Sequence, residues 1–489
     1  MSTASPQPAP ADGRRLTLVL AVLAVAGTTF ALLQAIVVPA LPVIGHALGA
    51  TPASQAWILT ANLLSTAVLT PVLGRAGDIH GKDRVLTATL VALGAGTLIC
   101  ALAPSLPVML AGRVIQGAGG AVYPLAFGIV RDELPRERVP GAIGLVSCLV
   151  GLGAGLGLVV PGFILAQLSY RWLFWLPLFV LVVTTVLTAR CVPSSPVRTR
   201  GSINWGSAAL MATGLAALLV AVSETSAWGW TSPATLGLLV VGAGVVTAWV
   251  AAERRAAQPL VDMHVMAVRG VWTANVAAFL LGVGMYASIA VIPAMVELPR
   301  STGVGFGGSA VAAGLFMLPT AAVQLVVGPF AGRIERRLGS RVQLLAGMVC
   351  VLVAYLALVV AHATTVELLA ATVVLGLGLG LGLSSLANLI VQAVTPEQTG
   401  VATGFNTVMR TLGGAFGAQL ATSCIAASAG PGGLPTGHGF TVAFAVCALA
   451  LAAGVISATL IPRRRYGAMA ASLIATTAAS RPASSSLSS

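Results

Sequence analysis

The 489-residue sequence predicts an all-α membrane protein, with fourteen transmembrane helices arranged as two six-helix bundles plus an inserted two-helix hairpin. Three observations predict it: a composition too apolar for water, charge-free runs of bilayer length, and an internal repeat. Hydrophobic residues make up 57% of the chain and charged residues 8%, against ~45–50% and ~25% in an ordinary soluble domain. So little polar surface cannot cover a globule in water, and lipid must be the solvent for most of the molecule.

A hydrocarbon core of ~30 Å needs ~20 apolar helical residues. No formal charge occurs between Arg15 and Arg75, Arg84 and Arg113, Arg138 and Arg171, or Arg410 and Arg463, and the longest of these runs hold two spans each. Splitting at Pro, Gly and polar clusters gives helices near 16–38, 53–73, 85–103, 107–129, 140–165, 172–190, 205–222, 234–251, 271–295, 310–331, 342–360, 366–390, 401–426 and 440–461. The chain then divides into an N-terminal tail (1–15), a first bundle (16–190), a linker with helices seven and eight (191–270), a second bundle (271–461) and a C-terminal tail (462–489). The apolar run after Arg14-Arg15 is too long for a signal peptide and lacks a cleavage site, so it reads as a retained first helix. The tail ending in SRPASSSLSS is low in complexity and reads as disordered.

The net charge is +13, from 26 Lys+Arg and 13 Asp+Glu. Basic residues lie in short clusters between apolar runs, without aromatic interleaving, which excludes a nucleic-acid partner and fits cytoplasmic membrane loops. With the N-terminus inside, 22 of the 26 basic residues fall on the cytoplasmic side, Arg171 and Arg300 outside, and Arg113 and Arg410 within spans. Both termini are therefore expected in the cytoplasm of a cell-membrane protein. All eight tryptophans fall at span ends or in short loops, as an interfacial belt requires. Six scattered cysteines imply neither a disulfide frame nor a metal site. Lys82 is the single lysine, and such arginine bias with heavy Ala and Gly use points to a GC-rich bacterial gene.

Pro71, Gly74, Arg75 and Gly81 recur as Pro329, Gly332, Arg333 and Gly339, at an offset of 258. Gly117 and Gly119 recur as Gly376 and Gly378 at 259, and Pro39-Ala40 as Pro293-Ala294 at 254. Parallel repeats of this kind place a cavity between two halves whose rocking exposes it to each side in turn. That is transporter logic, although a duplicated channel or structural protein would also show repeats.

The segment 74–86, GRAGDIHGKDRVL, resembles motif A of the major facilitator superfamily, G-x-L-A-D-R-x-G-R-K-x-x-L, matching at Gly74, Asp78, Gly81, Lys82 and Leu86. A tight turn between antiparallel helices needs glycine, and Asp78 can meet a helix N-terminus or an arginine. The stretch 113–121, RVIQGAGGA, is similar to motif B, and SYRWLFWLP (169–177) to the segment after motif C in fourteen-span drug:proton antiporters. In motif C itself, Gly153 and Gly157 keep the spacing while Leu158 stands at the proline position. Residues 395–417, TPEQTGVATGFNTVMRTLGGAFG, resemble a stretch of the same branch. The resemblance implies a major facilitator fold, export of drug-like compounds against protons, and a cytoplasmic gate of Gly74, Asp78, Gly81, Lys82 and Arg84, with Asp132 as relay partner.

Arg113 and Arg410 are intramembrane charges, costing about 2.5–3.5 kcal/mol each on insertion scales unless they face a cavity or polar partner. Where the branch carries an acid in helix one, this chain has Leu33 beside Gln34, and no predicted span holds a central carboxylate. Proton-coupling candidates are therefore rim groups: Asp78, Asp132, Glu224, Glu297 and Glu367. A cavity without buried negative charge favours neutral or anionic amphipathic compounds. The candidates to bind them are Gln34, Asn62, Gln116, Tyr123, Asn275, Tyr286, Gln324, Asn388 and Asn406, although each such amide or hydroxyl taken singly more often joins helices than meets a ligand. No cofactor, metal cluster, nucleophile–base pair or Walker sequence is present, which excludes an enzyme and ATP-driven transport. The protein is expected to act as a monomer, embedded in the bilayer, on a small-molecule substrate and protons. A proton-coupled importer and a non-transporting membrane sensor remain the alternatives.

Overall fold

The computed structural model describes residues 13–197, 199, 201–428 and 434–462. Most of the N-terminal tail and the C-terminal tail expected to be disordered lie outside the described residues. Among the described residues the regular structure is all helical. The first part holds α1 (Gly13–Ala35), α2 (Val37–Ala47), α3 (Pro52–His80), α4 (Lys82–Leu102), α5 (Leu106–Gln116), α6 (Val122–Glu133), α7 (Val139–Gln167) and α8 (Trp172–Cys191). Next come α9 (Trp205–Ser223), α10 (Thr225–Trp228), α11 (Pro233–Arg255) and α12 (Met263–Ala267). The last part holds α13 (Arg269–Glu297), α14 (Ala310–Leu338), α15 (Ser340–Val360), α16 (Thr365–Ala393), α17 (Thr399–Ala427) and α18 (Gly437–Thr459). Among the described residues, 12 helices are long and apolar enough to cross a membrane.

Three departures from the sequence reading have local causes. The expected span 16–38 breaks at Ile36 and continues as α2 to Ala47; Pro39 has no N–H to offer the carbonyl four residues back, where α1 ends. The expected span 107–129 is interrupted by a 3₁₀ turn, Gly117–Ala121, between α5 and α6. The spans ending near 73 and 331 run on as helix to His80 and Leu338, so the two repeated motifs are not loops. Each turn is a single glycine with positive φ, Gly81 at 105° and Gly339 at 81°, a conformation costly to any other residue.

The apolar core has three parts. One is built almost wholly from residues 19–192 and another from residues 271–461, with Leu158 the one visitor from the first half. The third joins α9 and α11 to α3 and α17 through Ala67, Met211, Leu215, Val401 and Val408. The two halves meet along α7–α14 on one side and α3–α17 on the other, and α9 lies over the second seam. Trp249 does not sit in an aromatic belt: it is buried, with its indole N–H on Ser207 and Glu253. Glu253 also accepts from the Ser207 hydroxyl and the Leu260 N–H, which ties α9, α11 and the following loop together. All six cysteines are free thiols.

Candidate functional site

Two sites lie between the halves, and one, called here the latch, is a cluster of polar contacts at the end of the bundle where α1 begins and α3 ends. This end carries Lys82, Arg84, Arg131, Arg333 and Arg336 and is called here the basic face. Asp78, fully buried in the last turn of α3, accepts from the N–H groups of Gly400 and Val401 at the start of α17, both at 3.0 Å. A carboxylate there satisfies two orphan donors and faces the positive end of the α17 dipole. The approach needs glycine on both sides, because a Cβ on Gly74 would stand 2.5 Å from the Gly400 carbonyl oxygen. Lys82, released from Gly81 into α4, is buried and pairs with Asp132 at 2.7 Å, with Nζ 3.4 Å from the Pro396 carbonyl. Arg131 donates to the carbonyls of Val394 and Thr395 and to the Thr399 hydroxyl at 2.7–3.1 Å. The segment after α8 closes over this cluster. Ser195 donates its hydroxyl to Asp132 and its N–H to Asp83, while Thr199 reaches the Asp78 and Glu397 carbonyls. Arg84, grouped with the gate in the sequence reading, is exposed and stands apart from this cluster.

The second copy of the motif holds a different arrangement. Glu335, buried in α14, accepts from Ser340 (2.5 Å), Gln392 (2.8 Å) and Asn388 (2.5 Å), and Asn388 also donates to the Pro140 carbonyl of the other half. Gly332 lies against Gly141, so α14 and α7 meet there backbone to backbone. Sequence reasoning missed Glu335 because it sits among arginines, where a solvated loop was expected.

Away from the basic face the halves enclose a cavity of ≈ 260 Å³. Gln34, Asn62, Tyr123, Tyr286 and Gln324 line it, as do Arg113 and Arg410, on walls that are otherwise mainly apolar. The lining includes no Asp or Glu among the described residues. Three buried oxygens of residues that line it, Asn62 Oδ1, Thr66 Oγ1 and Gln324 Oε1, have no hydrogen-bond partner among the described residues, and neither has Arg410 Nε. Arg113 is different: Nε donates to the Ile58 carbonyl (2.9 Å), and Nη1 to Gln116 Oε1 (2.8 Å) and the Leu33 carbonyl (3.4 Å). It pins α1, α3 and α5 together.

Four of the nine expected cavity residues are elsewhere. Gln116 joins Arg113 to Thr97, Asn388 serves Glu335, and Asn275 and Asn406 bond each other at 2.9 Å. Asn406 borders a smaller cavity beneath the first, with Ser147 and Thr403, and Arg410 stands between the two. In each case an amide whose direction around the helix is invisible in sequence found a neighbouring helix instead of the cavity. The rim candidates also lie outside it. Glu297 is exposed, Glu224 ends α9, and Glu367 closes a capping box with Thr364.

The comparisons with known proteins agree with this architecture. A family model described as Major Facilitator Superfamily matches residues 23–418. An uncharacterized MFS-type transporter of Mycobacterium tuberculosis, Rv1877, is 30% identical over 394 residues, covering 78% of this chain and 56% of its own length. The chain thus spans little more than half of that relative. The multidrug transporter protein MdtP of Bacillus subtilis is 26% identical over 380 residues, covering 76% of this chain and 69% of its own. The crystal structure of the human organic anion transporter MFSD10 matches with a TM-score of 0.64 at 16% identity, over 92% of this chain and 100% of that one. At that identity the likeness is one of fold.

Proposed function

Because the chain belongs to the Major Facilitator Superfamily, we propose that it is a secondary active transporter exporting amphipathic small molecules, neutral or anionic, by alternating access. It is a multi-pass membrane protein. To its 12 candidate spans the reading adds the interrupted α5–α6 and α17, giving fourteen, with α9 and α11 as the inserted pair. The basic face is read as cytoplasmic, with both termini, because positive charge gathers there. The observation that carries the function is the cavity itself: it lies between two halves, its walls are mainly apolar with a few polar side chains, and the Asp78 contacts lie between it and the basic face. In this reading the structure is the state closed to the cytoplasm, and loading requires the Asp78, Lys82 and Arg131 contacts to part.

Export is favoured over import by the resemblance to the drug:proton antiporter branch and by relatives named as multidrug transporters. Proton antiport is the coupling that the resemblance implies. Asp78 and Asp132 are its nearest carriers, acting at the latch because no carboxylate lines the cavity. The test is uptake of N-phenyl-1-naphthylamine into energised inverted membrane vesicles containing the protein. Uptake abolished by an uncoupler is expected; vesicles with and without the protein behaving alike would overturn the reading.

A further inference from the structure

We propose that Arg410 anchors a single anionic group, a carboxylate or sulfonate, on the transported molecule. This rests on the central cavity being the substrate site and narrows what that site takes. The two buried arginines of the cavity differ in how far they are used. Arg113 is 1% exposed and its guanidinium is taken up by the Ile58 and Leu33 carbonyls and Gln116. Arg410 is partly buried; its Nε has no acceptor, and no carboxylate lies within 4.0 Å of it among the described residues. Arg410 lines both the central cavity and the smaller one beneath, so it stands at the floor that an entering ligand approaches.

A cation enclosed in a weakly polar interior without a counter-charge is costly, and two of them leave the cavity positive in potential. An anion removes that cost, and a guanidinium offers it paired, parallel N–H donors. A cationic guest would meet the same two charges with no carboxylate to offset them. The rest of the lining describes the rest of the guest. Asn62 has its Nδ2 occupied by the Arg113 carbonyl at 3.1 Å, so its unpartnered Oδ1 must accept, and calls for a hydroxyl or amine donor. Phe30, Leu59, Leu158 and Met317 supply an apolar wall for an aromatic or aliphatic body. The guest is thus a monoanionic amphiphile with at least one hydrogen-bond donor.

The experiment compares 8-anilino-1-naphthalenesulfonate with N-phenyl-1-naphthylamine, two fluorescent amines with the same ring body, of which only the first carries a sulfonate. Binding to the purified full chain is measured by fluorescence in the wild type and in Arg410→Gln, Arg410→Lys and the cavity-blocking Ala154→Trp. The wild type is expected to bind the sulfonate more tightly than the uncharged amine. Arg410→Gln should weaken sulfonate binding by about 10- to 100-fold, the range for losing a charged hydrogen-bond partner, and leave the amine within about 3-fold. Arg410→Lys should retain part of the preference. If Ala154→Trp abolishes amine binding but the wild type shows no preference for the sulfonate, the anion inference is wrong and the cavity reading stands. If Ala154→Trp changes neither probe, the cavity is not the binding site and both fall. The wild-type preference is read without any variant, so the inference stays testable even where Arg410→Gln fails to fold.

Discussion

The two copies of the glycine-marked turn share a backbone frame and differ in what they hold. In the first, the charged trio Asp78, Lys82 and Asp132 works across the molecule: Asp78 holds the start of α17, and Lys82 reaches toward Pro396. In the second, the offset of 258 puts Ser340 where Lys82 stands, and Gln392 follows Asp132 by 260. Glu335 is accordingly ringed by neutral donors, all three from its own half. Beside the first copy, the halves are fastened by charge on backbone N–H groups; beside the second, they touch through Gly141 and Gly332. In the proposed cycle a duplicated element serves as a lock along α3–α17 and a packed pivot along α7–α14. Electrostatics can release the one, whereas close packing preserves the other.

Lys82→Ala should break this comparison most strongly. It leaves Asp132 as a buried charge without its ion-pair partner, a loss of about 3–5 kcal/mol, and thermal melting of the purified protein should show a large drop. Asp78→Asn should come next, because an amide cannot accept at both positions and its Nδ2 would face a backbone N–H. The closed latch should lose about 1–3 kcal/mol, seen as faster thiol labelling of Thr403→Cys in a background without the native cysteines. Glu335→Gln should cost less than about 1 kcal/mol, since its oxygen still accepts from Asn388 and its Nε2 can donate to Ser340 Oγ once the neighbouring Gln392 amide turns its own oxygen inward, a freedom that backbone N–H groups lack. A melting loss equal to that of Asp78→Asn would show that both copies depend on charge. Arg84→Ala, on an exposed side chain outside the latch, should leave melting and labelling unchanged.

The lock was legible in the sequence and the pivot was not, for a physical reason. A carboxylate beside a tight glycine turn has few ways to be satisfied, so Asp78 could be expected at a helix terminus. The repeat itself hid Glu335: in register it answers to Gly77, while Asp78 answers to Arg336. Only the continuation of α14 to Leu338 turns Glu335 inward. The 12 long apolar helices among the described residues could be read because length and hydropathy decide them. The separation of Gln34, Asn62 and Gln324 from Gln116, Asn275, Asn388 and Asn406 could not, because direction around an apolar helix leaves no trace when all faces are apolar. Trp249 and Glu253 escaped notice for the same reason, their partners being supplied by a neighbouring helix and a returning loop.

The lone guanidinium of Arg410 carries an electrical consequence. In the proposed cycle an empty carrier would shuttle with that charge uncovered, and one holding a monoanion with it neutralised. Voltage therefore acts chiefly on the unloaded half-cycle, at up to about 2.3 kcal/mol per elementary charge for each 100 mV traversed. With a negative interior it pulls the vacant site back toward the cytosol, resetting the machine for its next passenger.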